Sequence, residues 1–415
     1  MKLTTTALGV VVALVSVPAA AQLTRSQESD KREQPAQEQG KPGDLKPSSQ
    51  AFKAIAELQT AVKANDVANI PAKVAAAQAV AKTKEDRYLI GIFQRQAALN
   101  AKDNVALAAA VQAIEASGGA DAPTLAALYS DLGIQQFNAK QYPQALASFQ
   151  KATTLTPSDL GMLELLAQAQ ASAGQNQAAA ATFQRVIQAR TAAGQKPSED
   201  IIRRAVQAAY DSKAPNAVEL GRQWVEAYPS PDAWRNAILI YRNLREPDVE
   251  GTLDLLRLLQ TAGALSTTTD YSLFATAAAD QQNFVEAQAV VDAGIAAGKV
   301  NADSPLFREI ISGLKAKQKL TAADLAEAEK VAQTGTAMVR VGDRYFGLGQ
   351  YAKAAELYRK ALSKGGSDAN IANLHLGMAL ARAGDKASAT TAFNAVTGPR
   401  ADIAKYWLLY LQTHA

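Results

Sequence analysis

The sequence predicts an all-α chain, a right-handed α-solenoid (superhelix) of stacked helical hairpins that ends in a C-terminal capping helix. Three observations carry this. Met338, Val341, Gly342, Tyr345, Gly349, Ala354, Tyr358 and Ala361 return 35 residues later as Asn373, Leu376, Gly377, Leu380, Gly384, Ala389, Phe393 and Val396. Self-similarity at such a period marks supersecondary units that bury their apolar faces on their neighbours. Aromatic residues make up only 6% of the 415 positions and charged residues 20%, while alanine is abundant, which is a helical composition. The 25 glycines and 15 prolines are sparse and placed as punctuation rather than spread as low complexity.

The chain begins with an address. Residues 1–21 hold Lys2, an apolar run from Ala7 to Val17, then Pro18, Ala19, Ala20 and Ala21 before Gln22, the layout of a signal peptide cleaved after Ala21. The apolar run is too short for the ~30 Å of a bilayer's hydrocarbon. No later stretch is longer and as apolar, so no transmembrane segment is expected after cleavage. The mature protein is expected in the periplasm, with secretion as the alternative. Residues 22–49 are mixed in charge, rich in Gln, Pro and Gly, and almost free of apolar side chains, so they predict a disordered linker. There is no cysteine, which excludes disulfides, thiolate metal sites, a cysteine nucleophile and a lipid-anchor thiol. The formal charge of +4 becomes 4 − 1 = +3 once Lys2 is removed, a surplus too small to predict a nucleic-acid partner.

From Gln50 the periodicity is helical to the end, and residues 50–415 are expected to form the array. Phe52, Ile55, Leu58 and Val62 share one face, Val74, Ala77 and Ala81 a second, Tyr88, Ile90, Ile92 and Phe93 a third, and Val105, Ala109, Val111 and Ile114 a fourth that stops at Gly118. The first clean unit runs from Ala126 to Asp159, with Tyr129, Leu132, Gly133, Ala145, Phe149, Ala152 and Pro157 in fixed positions. Gly133 and Ala145 are small where two antiparallel helices cross, Phe149 fills the space between hairpins, and Pro157 stops the second helix.

These spacings resemble the tetratricopeptide repeat (TPR) family, and the chain resembles an exported bacterial member of it. The family's aromatic in the middle of the first helix is absent, since Gln136 holds that place beside Phe137. The clearest repeats lie near 126–159, 160–193, 198–231, 268–301, 335–368 and 370–403, with a weaker helix pair at 303–333. A terminal helix from about 401 to 412 carries Tyr406 and Trp407; Trp407 is expected to cap the array, the alternative being an exposed aromatic that grips a partner.

Catalytic patterns are not found. The only histidines are His375 and His414, without a metal-binding pairing, and packing explains His375 better than ligation. The glycines of GDRYFGLGQ, residues 342–350, lie in a helix and the turn after it, not between a strand and a helix as a phosphate loop requires. No catalytic residue, cofactor or metal is therefore expected, and the protein is not expected to be an enzyme. The resemblance implies a concave groove lined by the first helix of each hairpin, which binds a protein or peptide. Carried over by repeat position, its partner-binding residues are Phe137, Asn138, Arg235, Arg242, Asn243, Asp343, Phe346, Met378 and Arg382, with Ser130, Ile134, Leu239 and Leu374 beside them. The Lys and Asn set that clamps a terminal carboxylate in some members is missing. Arg235 and Arg242, seven apart and so on one face, can receive an acidic group, or else form an ordinary solvated face. The expected function is an exported scaffold or adaptor for envelope proteins. The alternatives are an assembly component of a secretion or polysaccharide-export system, and a cell-wall glycan-acting enzyme or its regulator.

Overall fold

A computed structural model describes residues 46–317 and 322–414, so the expected signal peptide and the linker up to residue 45 lie outside the described residues. Among the described residues there are twenty-one α-helices, one 3-10 turn at Gly398–Arg400 and no strand. None of these helices is long and apolar enough to cross a membrane. The chain divides between Ala214 and Pro215 into two compact units.

The N-terminal unit contains α1 (Phe52–Lys63), α2 (Ile70–Val80), α3 (Lys84–Ala101), α4 (Asn104–Ser117), α5 (Ala122–Asn138), α6 (Tyr142–Leu155), α7 (Leu160–Ser172), α8 (Asn176–Ala192) and α9 (Glu199–Asp211). Helices α1 and α2, α3 and α4, α5 and α6, and α7 and α8 pair as hairpins, each stacked on the next. The helices start where side chains satisfy their orphan amides: Asp103, Asp121, Asp159 and Ser198 each accept from backbone N–H groups of the first turn. At Gly118, Gly174 and Gly194 the chain leaves a helix with positive φ, where glycine carries no Cβ penalty.

The start of the described chain is pinned. The backbone N–H and the hydroxyl of Ser48 both donate to the buried Asp86 at 2.8 Å, and the N–H groups of Lys82 and Thr83 add two bonds at 3.1 Å. Burial alone would raise the Asp86 carboxyl, but these donors outweigh it and lower it to about 2.

Within the hairpins, glycine sits where an aromatic ring crosses. A Cβ added to Gly133 would lie 2.7 Å from the Phe149 ring, at Gly342 2.6 Å from Tyr358, and at Gly377 2.5 Å from Phe393. The repeat lacking its first-helix aromatic uses a polar substitute. Gln136 is buried and accepts from the Ser148 hydroxyl at 2.7 Å. The bond recurs 34 residues on, where Thr182 donates to Gln170 at 2.8 Å.

The C-terminal unit contains α10 (Ala217–Ala227), α11 (Pro231–Arg245), α12 (Val249–Thr261), α13 (Thr268–Asp280), α14 (Phe284–Ala296), α15 (Pro305–Lys315), α16 (Ala322–Val331), α17 (Gly335–Gly347), α18 (Tyr351–Lys364), α19 (Ala369–Arg382), α20 (Lys386–Asn394) and α21 (Ala401–Thr413). Here α21 does more than cover an end. It packs on α20 and also returns to α10 and α12, closing the unit on itself. Trp407 is fully buried and stacks on Phe393 at 5.9 Å. The Tyr406 hydroxyl donates to the Ala237 carbonyl at 3.2 Å, while its ring meets Tyr241 edge-on. Charges reinforce the return: Arg222 lies 3.4 Å from Asp402, and Arg400 reaches Asp248 at 3.0 Å and Glu250 at 2.9 Å.

Two glycine substitutions separate close approach from helix propensity. Replacing Gly377 by Ala gains up to ~1 kcal/mol of propensity but drives a methyl into a buried ring, so a net loss of about 1–3 kcal/mol is expected in urea melts. Gly313 has nothing within 4 Å of an added Cβ. The Gly313→Ala change is expected to stabilise by about 0.5–1 kcal/mol.

Candidate functional site

In the N-terminal unit the expected groove positions fall on α5. Ser130 is fully buried, Ile134 half-buried and Asn138 exposed, while the buried Phe137 packs edge-on against Tyr142 at 5.3 Å. Asp131, next to Ser130, keeps much of its carboxylate in water and pairs with Arg95 of α3 at 2.9 Å.

In the C-terminal unit most of the expected groove positions are covered by the unit's own helices. Met378 is fully buried and Phe346 nearly so. The guanidinium of Arg257, on α12, lies 4.8 Å over the Phe346 ring. Arg382 donates to the Thr261 hydroxyl at 3.1 Å and stacks 4.6 Å over Tyr351. Asp343 enters a buried ion network. These four side chains therefore pack within the unit instead of lining an open wall, because α12 lies against α17 and α19 through Arg257, Thr261 and Asp254.

The network joins α12, α14, α17, α18 and α19. Arg257, 2% exposed, grips Glu286 of α14 through Nε and Nη2, both at 2.8 Å, and reaches Asp254 at 3.3 Å. Asn283 donates to Glu286 at 2.7 Å and to the Asp343 carbonyl at 2.9 Å. His375 lies between two acids, Nδ1 at 2.8 Å from Asp343 and Nε2 at 3.2 Å from Asp254. Neither ring N–H is aligned on its carboxylate, so these contacts are ion pairs rather than straight hydrogen bonds. The Tyr358 hydroxyl donates to Asp343 at 2.7 Å. Three acids thus meet two internal cations, with Arg400 approaching Asp254 from the edge at 3.8 Å.

Burial by itself would push the His375 imidazole down, but Asp343 and Asp254 outweigh it and raise it to about 10. Burial likewise works against the Asp343 carboxylate, and the charges of His375 and Arg257 hold it below the usual range. Sequence reasoning did not single out Arg257 and Asp254 as a site. The signal that was present is their position as charges inside the apolar run LDLLRLL of residues 253–259. Among the described residues no cluster of His, Asp and Glu is arranged to hold a metal ion.

A different face of α11 carries Arg235 and Arg242. Arg235 donates through Nε and Nη2 to Asp270 of α13 at 3.0 and 3.4 Å. Asp270 also caps α13, accepting the N–H groups of Ser266 and Thr267. Burial would raise the Asp270 carboxyl; Arg235 and those amides lower it. Arg242 is half-buried and its Nε meets no acceptor, and Asn243 beside it is exposed.

The tetratricopeptide-repeat family profile matches residues 130–195 and 341–406, one segment in each unit. These two segments carry tetratricopeptide repeats, which indicate protein–protein interaction. Among solved structures the chain is similar to a tetratricopeptide repeat protein from Parabacteroides merdae, with 14% identity over 71% of this chain and 99% of that one and a TM-score of 0.32. It is similar to the TPR2AB domain of yeast Sti1 in complex with pHSP90, with 14% identity over 70% and 99% and a TM-score of 0.26. The apo form of RapI gives 13% identity over 76% and 97%, with a TM-score of 0.30. No curated protein matches.

Substitution and pH both test the network. Replacing His375 by Ala leaves Asp254 and Asp343 buried with one cation fewer, and a loss of about 3–5 kcal/mol is expected by denaturant unfolding. The folded imidazole titrates above its unfolded value, so the stability it contributes is complete below about pH 6.5 and is lost as pH rises toward 10. The melting temperature should fall between pH 7 and 10, the fall should be smaller in His375→Gln, and NMR should show a protonated His375 ring at pH 8.

Proposed function

We propose that the protein is an exported, non-catalytic scaffold that holds an envelope protein or peptide on the first helices of its hairpins. The observation that supports this best is the run of stacked hairpins with tetratricopeptide spacing, whose first helices in the N-terminal unit keep a partly exposed face. On that face α5 keeps Ile134 half-buried, Asn138 exposed and Asp131 partly in water, a mixture of apolar and polar groups that suits an extended segment. Export is supported by the N-terminal layout, in which Ala19 to Ala21 follow a short apolar run.

The test is made in the native envelope. Mass spectrometry of the purified protein should find Gln22 as its first residue. A photo-crosslinking amino acid at Ile134 should capture one or a few discrete proteins, and the same amino acid at Gln150, exposed on α6, should not. Crosslinks absent from both positions, or equal at both, would remove the scaffold reading.

A further inference from the structure

Most of the half-buried arginines among the described residues are matched to acids. Arg95 meets Asp131, Arg190 meets Glu164, Arg222 meets Glu219 and Asp402, and Arg400 meets Asp248 and Glu250. Arg382 has no acid but donates to Thr261 and stacks on Tyr351. Among the described residues Arg203, Arg344 and Arg242 have no acid partner, and of these three only Arg242 has a buried Nε without an acceptor.

The acid whose charge Arg242 feels is Asp270, and that carboxylate is committed elsewhere. It takes two bonds from Arg235 and one each from the N–H groups of Ser266 and Thr267. Two guanidiniums on one face of α11 therefore share one saturated carboxylate, which leaves a positive surplus at Arg242. A guanidinium presents five donors in a planar fork whose natural complement is a carboxylate bound through two oxygens. Burial works against the charge of Arg242, with only Asp270 opposing it. Charged side chains are rarely removed from water without a partner, so this one lacks the group that would complete it.

We propose that Arg242 is the anchor for a carboxylate of the protein partner, either an acidic side chain or a chain terminus. The inference rests on the scaffold reading and names the chemistry by which the C-terminal unit takes hold of its partner. Arg235 is the positioning residue: by occupying Asp270 it keeps that acid from neutralising Arg242.

The experiment uses the mature full-length chain with ¹⁵N-labelled arginine and follows the Nε–H resonances by NMR. The probes are acetyl-Ala-Glu-Ala-amide, acetyl-Ala-Gln-Ala-amide, and acetyl-Ala-Gln-Ala with a free terminal carboxylate. A saturable shift of the Arg242 signal with the first or third probe, and none with the second, is expected; which of the two acts tells a side chain from a terminus. The Arg242→Met variant should melt at the same temperature or higher, since a partly buried unpaired charge is gone, and should weaken at least tenfold the crosslinking of the partner by a photo-crosslinking amino acid at Asn243, exposed beside it in the same unit. No saturable shift with either acid overturns the proposal. So does a drop of several degrees in the melting temperature of Arg242→Met, which would mark the side chain as structural. If the acids shift Arg242 but Ile134 captures nothing, the anchor stands and the scaffold reading fails; undiminished capture at Asn243 with Arg242→Met has the opposite meaning.

Discussion

A guanidinium sealed from water must be answered by acids held at bonding distance, and in the C-terminal unit that requirement falls on Arg257. Its two bonds to Glu286 tie α12 to α14, and Asp254 one turn away ties it to His375 on α19. Asn283, the N-cap of α14, holds the backbone carbonyl of Asp343, and Tyr358 of α18 donates to the carboxylate of this third acid. An apolar core of the same volume would be as stable or more so, because desolvating charges is costly. What an ion network adds is registry, since each charge tolerates only one arrangement of its neighbours. The hairpins of this unit, related by loose repetition, are brought into one definite closure by it.

The junctions inside the hairpins rely on two kinds of contact. Where the sequence keeps glycine opposite an aromatic ring, as at Gly342 and Tyr358, the helices approach until ring and backbone touch. Where Gln136 replaces an aromatic, the interior is secured by a hydrogen bond to Ser148, and the substitution is repeated as Gln170 with Thr182. A buried amide must find such a partner or lose stability. The pairing of the two positions, twelve residues apart in both repeats, is therefore a physical requirement rather than a coincidence.

Much of the fold was legible in the sequence, because the features that betray a hairpin array are local. Glycines, aromatics and capping residues recur at spacings set by the helix pitch, so α5 to α8 and α17 to α20 could be read directly. The terminal helix and the burial of Trp407 followed from the need to cover an end. What was not legible is long-range. Repeat position places Phe346 and Met378 on the first helices' inner side, yet whether that side stays open depends on how far the unit curves. Curvature is summed over many small rotations, and no single residue reports it. Arg235 shows the same limit: its spacing from Arg242 was visible, but its partner Asp270 lies on another helix in a cap that only the fold brings near.

The return of α21 onto α10 and α12 bears on how the protein is made. Arg400 and Asp248 are joined across 152 positions, and Tyr406 and Ala237 across 169. Contacts so distant along the chain form late, since the intervening loop must close first. The N-terminal unit draws its contacts from adjacent helices and can assemble as soon as they are available, whereas the C-terminal unit waits for the last thirteen helical residues, Ala401–Thr413. Synthesis from the N-terminus thus builds order into the chain: half of it can mature while the remainder is still incomplete, and a chain released before Ala401 has one finished half and one unsealed one.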